Sequence, residues 1–387
     1  MKVYVYILCA VLVIVTGVYV FRDHVIRFVF LPTNTFIETR KLSPPSQERS
    51  IITVAHNLSV PWGIARISDT ELLVTERGGT LVRIDTESKD IINRIHVPDV
   101  YSVGEGGLLS IALHPEFATN KWLYLARTTH RTGSVTNEVV RYTFENDNLT
   151  QEVIIISGIP GARIHNGSAL LFDPHRRNDG TYYLYVTTGD ASERSEAQNR
   201  DSLAGKTLRV LDNGTTPDTN PFGTLVYSYG HRNAQGLAWD DEGTLWATEH
   251  GRSGILSGMD EINIIEAGGN YGWPMIEGDE TQEGMENPII HSGPDETWAP
   301  GGIAYADGRL FFTGLRGQTL YVADIDEEGK GIENVTGYLR EEYGRLRAIM
   351  FDPLTDSLLV STSNTDGRGS PKDGDDKILQ IPVRFFE

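Results

Sequence analysis

The chain has 387 residues, with 34 Lys and Arg against 53 Asp and Glu, a formal net charge of −19. That balance excludes a protein that coats nucleic acid, because phosphate binding demands a clustered cationic face. An apolar fraction of 39% excludes a disordered chain, and a single Cys excludes a disulfide framework or a Cys-rich zinc or iron–sulfur site.

The first element is the run from Val3 to Phe21, about 19 residues without a charge and long enough to span a bilayer core. It lacks an A-x-A-like cleavage site, so residues 1–30 read as an uncleaved signal anchor in preference to a cleaved signal peptide. The expected location is membrane-anchored with the body outside the cytoplasm, or secreted or periplasmic if the segment is cleaved. Cations flank the run on both sides and leave its orientation open. Residues 31–50, with Pro32, Pro44 and Pro45, read as a linker, and residues 51–387 as one folded body. Residues 1–30 hold three basic and one acidic side chain and the only Cys, Cys9. The remainder therefore carries −21 and no thiol. Asn-x-Ser/Thr sequons at Asn57, Asn148, Asn166, Asn213 and Asn334 are compatible with export and equally expected by chance.

The body repeats. Short β-branched and aromatic strands are expected at Glu71–Glu76, Trp122–Arg127, Tyr182–Asp190, Thr244–Glu249, Leu310–Leu315 and Ser357–Ser361. Gly and Asp turns precede several of them, and no amphipathic helix of useful length lies between. A spacing of roughly 50–65 residues with several strands per unit predicts an all-β, six-bladed β-propeller, with a β-sandwich as the lesser alternative. Functional residues then belong on loops at one face, around the central channel.

Four Gly-rich polar segments fall beside these strands: Arg163–Gly167 (RIHNG), Tyr227–Gly236 (YSYGHRNAQG), Glu249–Trp273 and Tyr343–Arg347 (YGRLR). His165, with an unperturbed pKa near neutrality, suits a general base, although a lone His is more often a hydrogen-bonding residue. His231 reads as structural. Arg232, Asn233 and Gln235 offer many donors in four residues. Arg345 and Arg347 alternate along a short strand and point to one face, where Arg316 joins them. They suit bidentate binding of carboxylates, or else salt bridges to the abundant acids. Asp260 and Glu261, with loop carbonyls, are hard-oxygen donors of the kind calcium takes.

In this order, RIHNG, GHRNAQGLAW, TEHG, DEIN, GGNYGWP and GRLR make the chain resemble the soluble quinoprotein glucose/sorbosone dehydrogenases, in particular their aldose sugar dehydrogenase branch. VPWGIA, GEGGLLSIALHPEF and LAGKTLRV support the likeness, which covers about residues 50–385. The resemblance implies pyrroloquinoline quinone (PQQ) and Ca²⁺ as cofactors and an aldose as substrate, with the electrons passing to an acceptor outside the chain. It implies His165 as the base at the C1 hydroxyl and Arg232 against the quinone oxygens. Asn233, Gln235, Arg316, Arg345 and Arg347 would hold the rest of the cofactor. Glu105 and Gln198 would face the sugar. Calcium would sit on the carbonyls of Gly251 and Arg252, and a second ion near Asp260 and the Tyr271 carbonyl. The chain departs from the family pattern at Ile164, Ser168 and Ala169, which flank the His-Asn-Gly motif. It also has only a short acidic stretch between Pro274 and Trp298, which suggests an open sugar site. Two other readings stay open: a calcium-dependent lactonase, and a catalytically altered surface propeller that binds glycan or protein.

Overall fold

The computed structural model describes residues 38–39, 50–131, 133–253 and 258–386. Among them the strands form six sheets of consecutive antiparallel strands, the blades of a β-propeller. Blade 1 holds Pro61–Arg66, Glu71–Glu76, Thr80–Asp85 and Ile91–His96; blade 2 holds Leu108–Leu113, Trp122–Arg131, Ser134–Glu145 and Asn148–Pro160. Blade 3 holds Leu170–Phe172, Tyr183–Thr188, Lys206–Leu211 and Val226–Tyr229; blade 4 holds Ala234–Trp239, Leu245–Glu249, Glu261–Ile264 and Ile290–His291. Blade 5 holds Pro300–Ala306, Arg309–Gly314, Leu320–Ile325 and Ile332–Tyr338. Blade 6 is built from both ends of the body: Leu346–Asp352, Ser357–Thr362 and Ile378–Pro382 are completed by Ile52–Ala55. That pairing closes the ring.

All six strands expected from the repeat are the second strands of their blades. The reason is burial on both faces, which makes them near-continuous apolar runs instead of alternating ones. Leu72, Leu73 and Val74 in blade 1, and Leu310, Phe311 and Phe312 in blade 5, have no exposed surface. The core lies between facing blades. Leu73 and Leu81 meet Leu108 and Leu125, while Phe311 and Leu320 meet Leu358 and Leu379.

The six inner strands enclose a channel of about 680 Å³, lined largely by apolar residues such as Ile64, Ile111, Leu171, Leu237, Ala304 and Ile349. Gln235 and Arg347 stand along it, and the charged loops lie beyond the strand ends that carry them. No helix among the described residues is long and apolar enough to cross a membrane. The expected anchor, residues 1–30, lies outside the described residues. The expected linker contributes one short strand: Glu38–Thr39 pairs parallel with Thr336 and Gly337 at the outer edge of blade 5.

Candidate active site

His165 ends the loop that enters blade 3. Its φ of 61° is a left-handed conformation that L residues seldom adopt. Three contacts fix it there. Its N–H donates to Glu105 Oε2 at 3.1 Å, its carbonyl accepts the Ala191 N–H at 3.2 Å, and its Nδ1 lies 2.8 Å from Asp190 Oδ1. With Nδ1–H donating to the carboxylate, Nε2 carries the lone pair of the neutral ring. Asp190 is buried and also accepts the Ser192 N–H at 2.8 Å and the Trp273 Nε1–H at 2.9 Å. Burial pushes its carboxyl up. The hydrogen bond and charge of His165 outweigh that effect and hold it below the usual range. Asp190 and Trp273 are functional candidates that the motif reading passed over. The signal for Asp190 was its place directly after a buried strand, in TTGD.

The residues that depart from the family pattern do not disturb this pair. The Ser168 hydroxyl donates to the Asn166 carbonyl and its N–H to the Thr187 carbonyl; the Ala169 N–H donates to Thr187 Oγ1. Both side chains are buried at the start of the inner strand. Ile164 is partly exposed beside the base. Asn166 is buried, with its amide engaged by Asn137 and Ala162, so its sequon is not a surface site.

Arg232 lies on the turn between blades 3 and 4. Its Nη1 donates to the His250 carbonyl at 3.2 Å and its Nη2 to Ser253 Oγ at 2.7 Å, while its buried Nε has no partner among the described residues. Its guanidinium lies 5.3 Å from the Trp273 ring centroid. Glu249 fixes the turn. It accepts the backbone N–H groups of Arg232 and Asn233 and holds His231 Nδ1 at 2.9 Å. His231 is buried and stacks on Tyr271, so it is structural as expected. Asn233 Oδ1 accepts from the Gly167 N–H at 3.0 Å and from Gln235 Nε2 at 3.2 Å, which ties this turn to the base loop. His250 is held neutral, because burial pulls it down to about 3.

Arg345 and Arg347 converge as expected. Arg345 Nε and Nη2 donate to Asp366 Oδ2 at 3.0 and 2.9 Å, and Arg347 Nη2 lies 3.7 Å from the same oxygen. Arg347 also covers the Trp62 ring at 3.7 Å, and burial pulls its guanidinium down to about 9. Arg316 is close enough to feel both Asp260 and Arg345, and Arg77 to feel Arg345, Arg368, Asp366 and Glu105. Six guanidiniums, those of Arg77, Arg232, Arg316, Arg345, Arg347 and Arg368, thus share one region with the carboxylates of Glu105, Asp190, Asp260 and Asp366. Desolvation lowers the pKa of Arg77, Arg232, Arg316 and Arg347. Arg232, Arg345 and Arg347 are buried among them, and such a gathering of cations suits a polyanionic ligand.

Three expected roles, those of Gln198, Glu105 and Asp260, fit less well. Gln198 reaches the site, but its amide donates to Asn270 Oδ1 and the Trp273 carbonyl and accepts from Asn270 Nδ2. It therefore positions the Trp273 loop. Glu105 has both oxygens engaged, by His165 and by Arg368. Asp260 accepts three backbone N–H groups, from Gly251 at 2.9 Å, Trp298 at 2.8 Å and Ala299 at 2.9 Å, and acts as a loop anchor. The Tyr271 hydroxyl donates to the Ile264 carbonyl and accepts the Glu266 N–H. Gly251 must be glycine, since a Cβ would sit 2.1 Å from the Met259 carbonyl. Arg252 faces Glu277 at 3.5 Å. Among the described residues no group of three or more His, Cys, Asp or Glu is arranged to hold a metal.

Comparison with known proteins agrees with this geometry. The family model for glucose/sorbosone dehydrogenase matches residues 58–371. The PQQ-bound aldose sugar dehydrogenase from Streptomyces coelicolor is 38% identical, with a TM-score of 0.77 over 88% of this chain and 99% of that one. An aldose sugar dehydrogenase of Escherichia coli is 34% identical over 231 residues, 56% of this chain and 60% of its own. An uncharacterized Synechocystis protein is 33% identical over 352 residues, 79% of this chain and 82% of its own.

Proposed function

The chain belongs to the glucose/sorbosone dehydrogenase family, and on that premise we propose that it is a quinoprotein that oxidises the C1 hydroxyl of an aldose to the lactone. The observation that carries this reading is the His165–Asp190 pair beside a cluster of guanidiniums, of which those of Arg232, Arg345 and Arg347 are buried. The residues fit PQQ on their own chemistry. Three carboxylates and a quinone would find a cluster of arginines here, and Arg232 Nε is a buried donor with no partner among the described residues. When bound, PQQ supplies the two-electron acceptor for the hydride that leaves C1. Arg345, Arg347 and Arg316 hold its carboxylates, Asn233 and Gln235 fix its edge, and Arg232 stabilises negative charge beside the base. His165 Nε2 takes the C1 hydroxyl proton, and Asp190 keeps the ring in the right tautomer and stabilises the imidazolium that forms. Trp273, hydrogen-bonded to Asp190, limits the wall of the sugar site on that side.

Calcium fits less closely. Asp260 and the Tyr271 hydroxyl are already engaged, which leaves the carbonyls of Gly251, Arg252 and Tyr271 as hard-oxygen donors. We keep Ca²⁺ as a proposed cofactor at those carbonyls and route no step through it. The N-terminal segment supports placement of the propeller outside the cytoplasm, anchored or released, with electrons leaving to an external acceptor.

The lactonase reading loses ground, because it needs carboxylate and Asn ligands to a metal in a channel whose lining is largely apolar. The altered-propeller reading rested on Ser168 and Ala169, which lie just before the inner strand of blade 3, bond to Asn166 and Thr187 and leave the base pair intact.

The test is to load residues 50–387 with PQQ and Ca²⁺ and to follow dye reduction against a panel of aldoses. PQQ-dependent activity, lost in His165→Ala, is the expected result. A chain that shows no change in PQQ absorbance on mixing, with or without EDTA, would sink the reading.

A further inference from the structure

Arg368 has no assigned role, and it lies on the loop that follows the second strand of blade 6. Its Nη1 donates to Glu105 Oε1 at 2.6 Å, across 263 residues of sequence. The other Glu105 oxygen, Oε2, accepts the N–H of His165 at 3.1 Å. The Glu105 N–H donates to the Arg163 carbonyl at 2.7 Å. Gly104 permits this close approach: its φ is +61°, and a Cβ there would stand 2.1 Å from that same carbonyl oxygen. The turn at Gly104–Glu105 and the loop at Arg163–His165 are therefore laced together with no space between them.

The other end of the lacing reaches the cofactor-facing arginines. Asp366 Oδ1 accepts the Arg368 N–H at 2.8 Å, and Asp366 Oδ2 accepts two hydrogen bonds from Arg345. Arg347 stands 3.7 Å from the same oxygen. One continuous chain of contacts thus runs from Arg345 and Arg347 through Asp366, Arg368 and Glu105 to the backbone of His165.

We propose that Arg368 is a positioning residue whose ion pair with Glu105 clamps the base loop, so that the loop holding the cofactor-facing arginines also sets the placement of His165. The proposal rests on the reading of His165 as the base. The clamp holds a backbone that would otherwise relax, since the left-handed φ of His165 persists only where its surroundings over-determine it. The ion pair is durable. Burial alone would push the Glu105 carboxyl up, but the charge and hydrogen bond of Arg368 outweigh it and hold the group down at about 2. Arg77, Arg232 and Arg347 also face Glu105, so removal of Arg368 weakens the hold without abolishing it, and the Glu105 pKa rises towards its ordinary range.

The test compares Arg368→Gln, Arg368→Lys and the double variant Arg368→Gln/Glu105→Gln in the full chain. With PQQ loaded, Arg368→Gln should lower kcat/KM for an aldose by about tenfold to a hundredfold through misplacement of the base, with PQQ affinity nearly unchanged. Beside the acid limb that the base itself gives, its pH profile should gain a second one from Glu105 that the wild type lacks. The double variant should lose that limb, and Arg368→Lys should recover most of the rate. An unchanged pH profile in Arg368→Gln, or a loss of activity that only tracks a loss of PQQ binding, would overturn the proposal.

A cofactor-free arm keeps the clamp testable if the chain oxidises no sugar. In wild type the depressed pKa means Glu105 contributes stability above the unfolded value near 4.5, lost only as pH falls towards 2. In Arg368→Gln the group is buried without its cation, and acid relieves that penalty. The gap in urea midpoint between wild type and Arg368→Gln should therefore shrink as the pH drops from 6 to about 4. The corresponding gap for the double variant should not shrink. A gap that stays constant with pH would refute the clamp whatever the fate of the redox reading.

Discussion

His165 and Asp190 form the smallest unit whose chemistry can be isolated. The carboxylate accepts from His165 Nδ1, from Trp273 Nε1 and from the Ser192 N–H, so it is well hydrogen-bonded and stays ionised. Asp190→Asn keeps the shape but offers an amide to the ring, which no longer selects the tautomer with a lone pair on Nε2. We expect kcat to fall by about 10²- to 10⁴-fold, with PQQ affinity nearly unchanged. A kcat within a few-fold of wild type would show that the base does not depend on this partner. At this scale the sequence was informative where residue type is restrictive. His165, Arg232, Arg345 and Arg347 belonged to motifs whose donors have few other uses, and they do converge. Asp190, Trp273 and Arg368 were hidden because an Asp, a Trp or an Arg after a strand is common, and only the fold shows what each faces. Gln198 and Asp260 show the converse. Their types suited a ligand, yet neighbouring loops take up their hydrogen-bonding capacity.

At the scale of elements, one hydroxyl recurs around the ring. Thr75 Oγ1 donates to the Leu109 carbonyl, Thr187 Oγ1 to Ala234, Thr248 Oγ1 to Gly301, Thr313 Oγ1 to Arg347 and Ser361 Oγ to Pro61. Each sits on the second strand of one blade and reaches the inner strand of the next, so the bonds pass from blade to blade at five of the six junctions. Several also accept an N–H from their own inner strand at its bulge, as Gly63 to Thr75 at 2.8 Å and Ala169 to Thr187 at 2.9 Å. In blade 2 the equivalent position is Ala126, since Leu125 pairs with Ile111 as Val74 pairs with Ile64. These strands were legible in the sequence because they are buried on both faces. The hydroxyls were not, since a Thr in a strand is also an ordinary β-former. Thr187→Val keeps the shape and removes both a donor and an acceptor in a buried setting. The expected cost is about 1–3 kcal/mol, read as a lower denaturant midpoint with an unchanged slope. The same substitution at exposed Thr150 should be close to neutral. Equal effects at the two sites would remove the hydroxyl ring as a stabilising device.

For the whole molecule, the issue is why a strongly acidic body concentrates its cations in one place. Like charges in a desolvated pocket repel, and here Arg345, Arg77 and burial all depress the Arg347 guanidinium against the pull of Asp366 and Glu105. The free fold therefore carries an electrostatic cost at the site, which a polyanion bound only by the folded state relieves. Blade count was readable from the spacing of strands, while the completion of blade 6 by Ile52–Ala55 was not. The surplus of buried charge was not, because a net charge of −19 conceals it. Mass action sets the size of the response. A ligand at a hundred times its Kd stabilises the native state by about 2.7 kcal/mol. Saturating PQQ should accordingly raise the urea midpoint of residues 50–387. Replacing Arg345 and Arg347 by Met should remove most of that rise, and it should also lower the PQQ-free midpoint, because buried Asp366 loses the cations that hold it ionised. If the double variant keeps the full PQQ-dependent rise, the arginine cluster is not the seat of the cofactor.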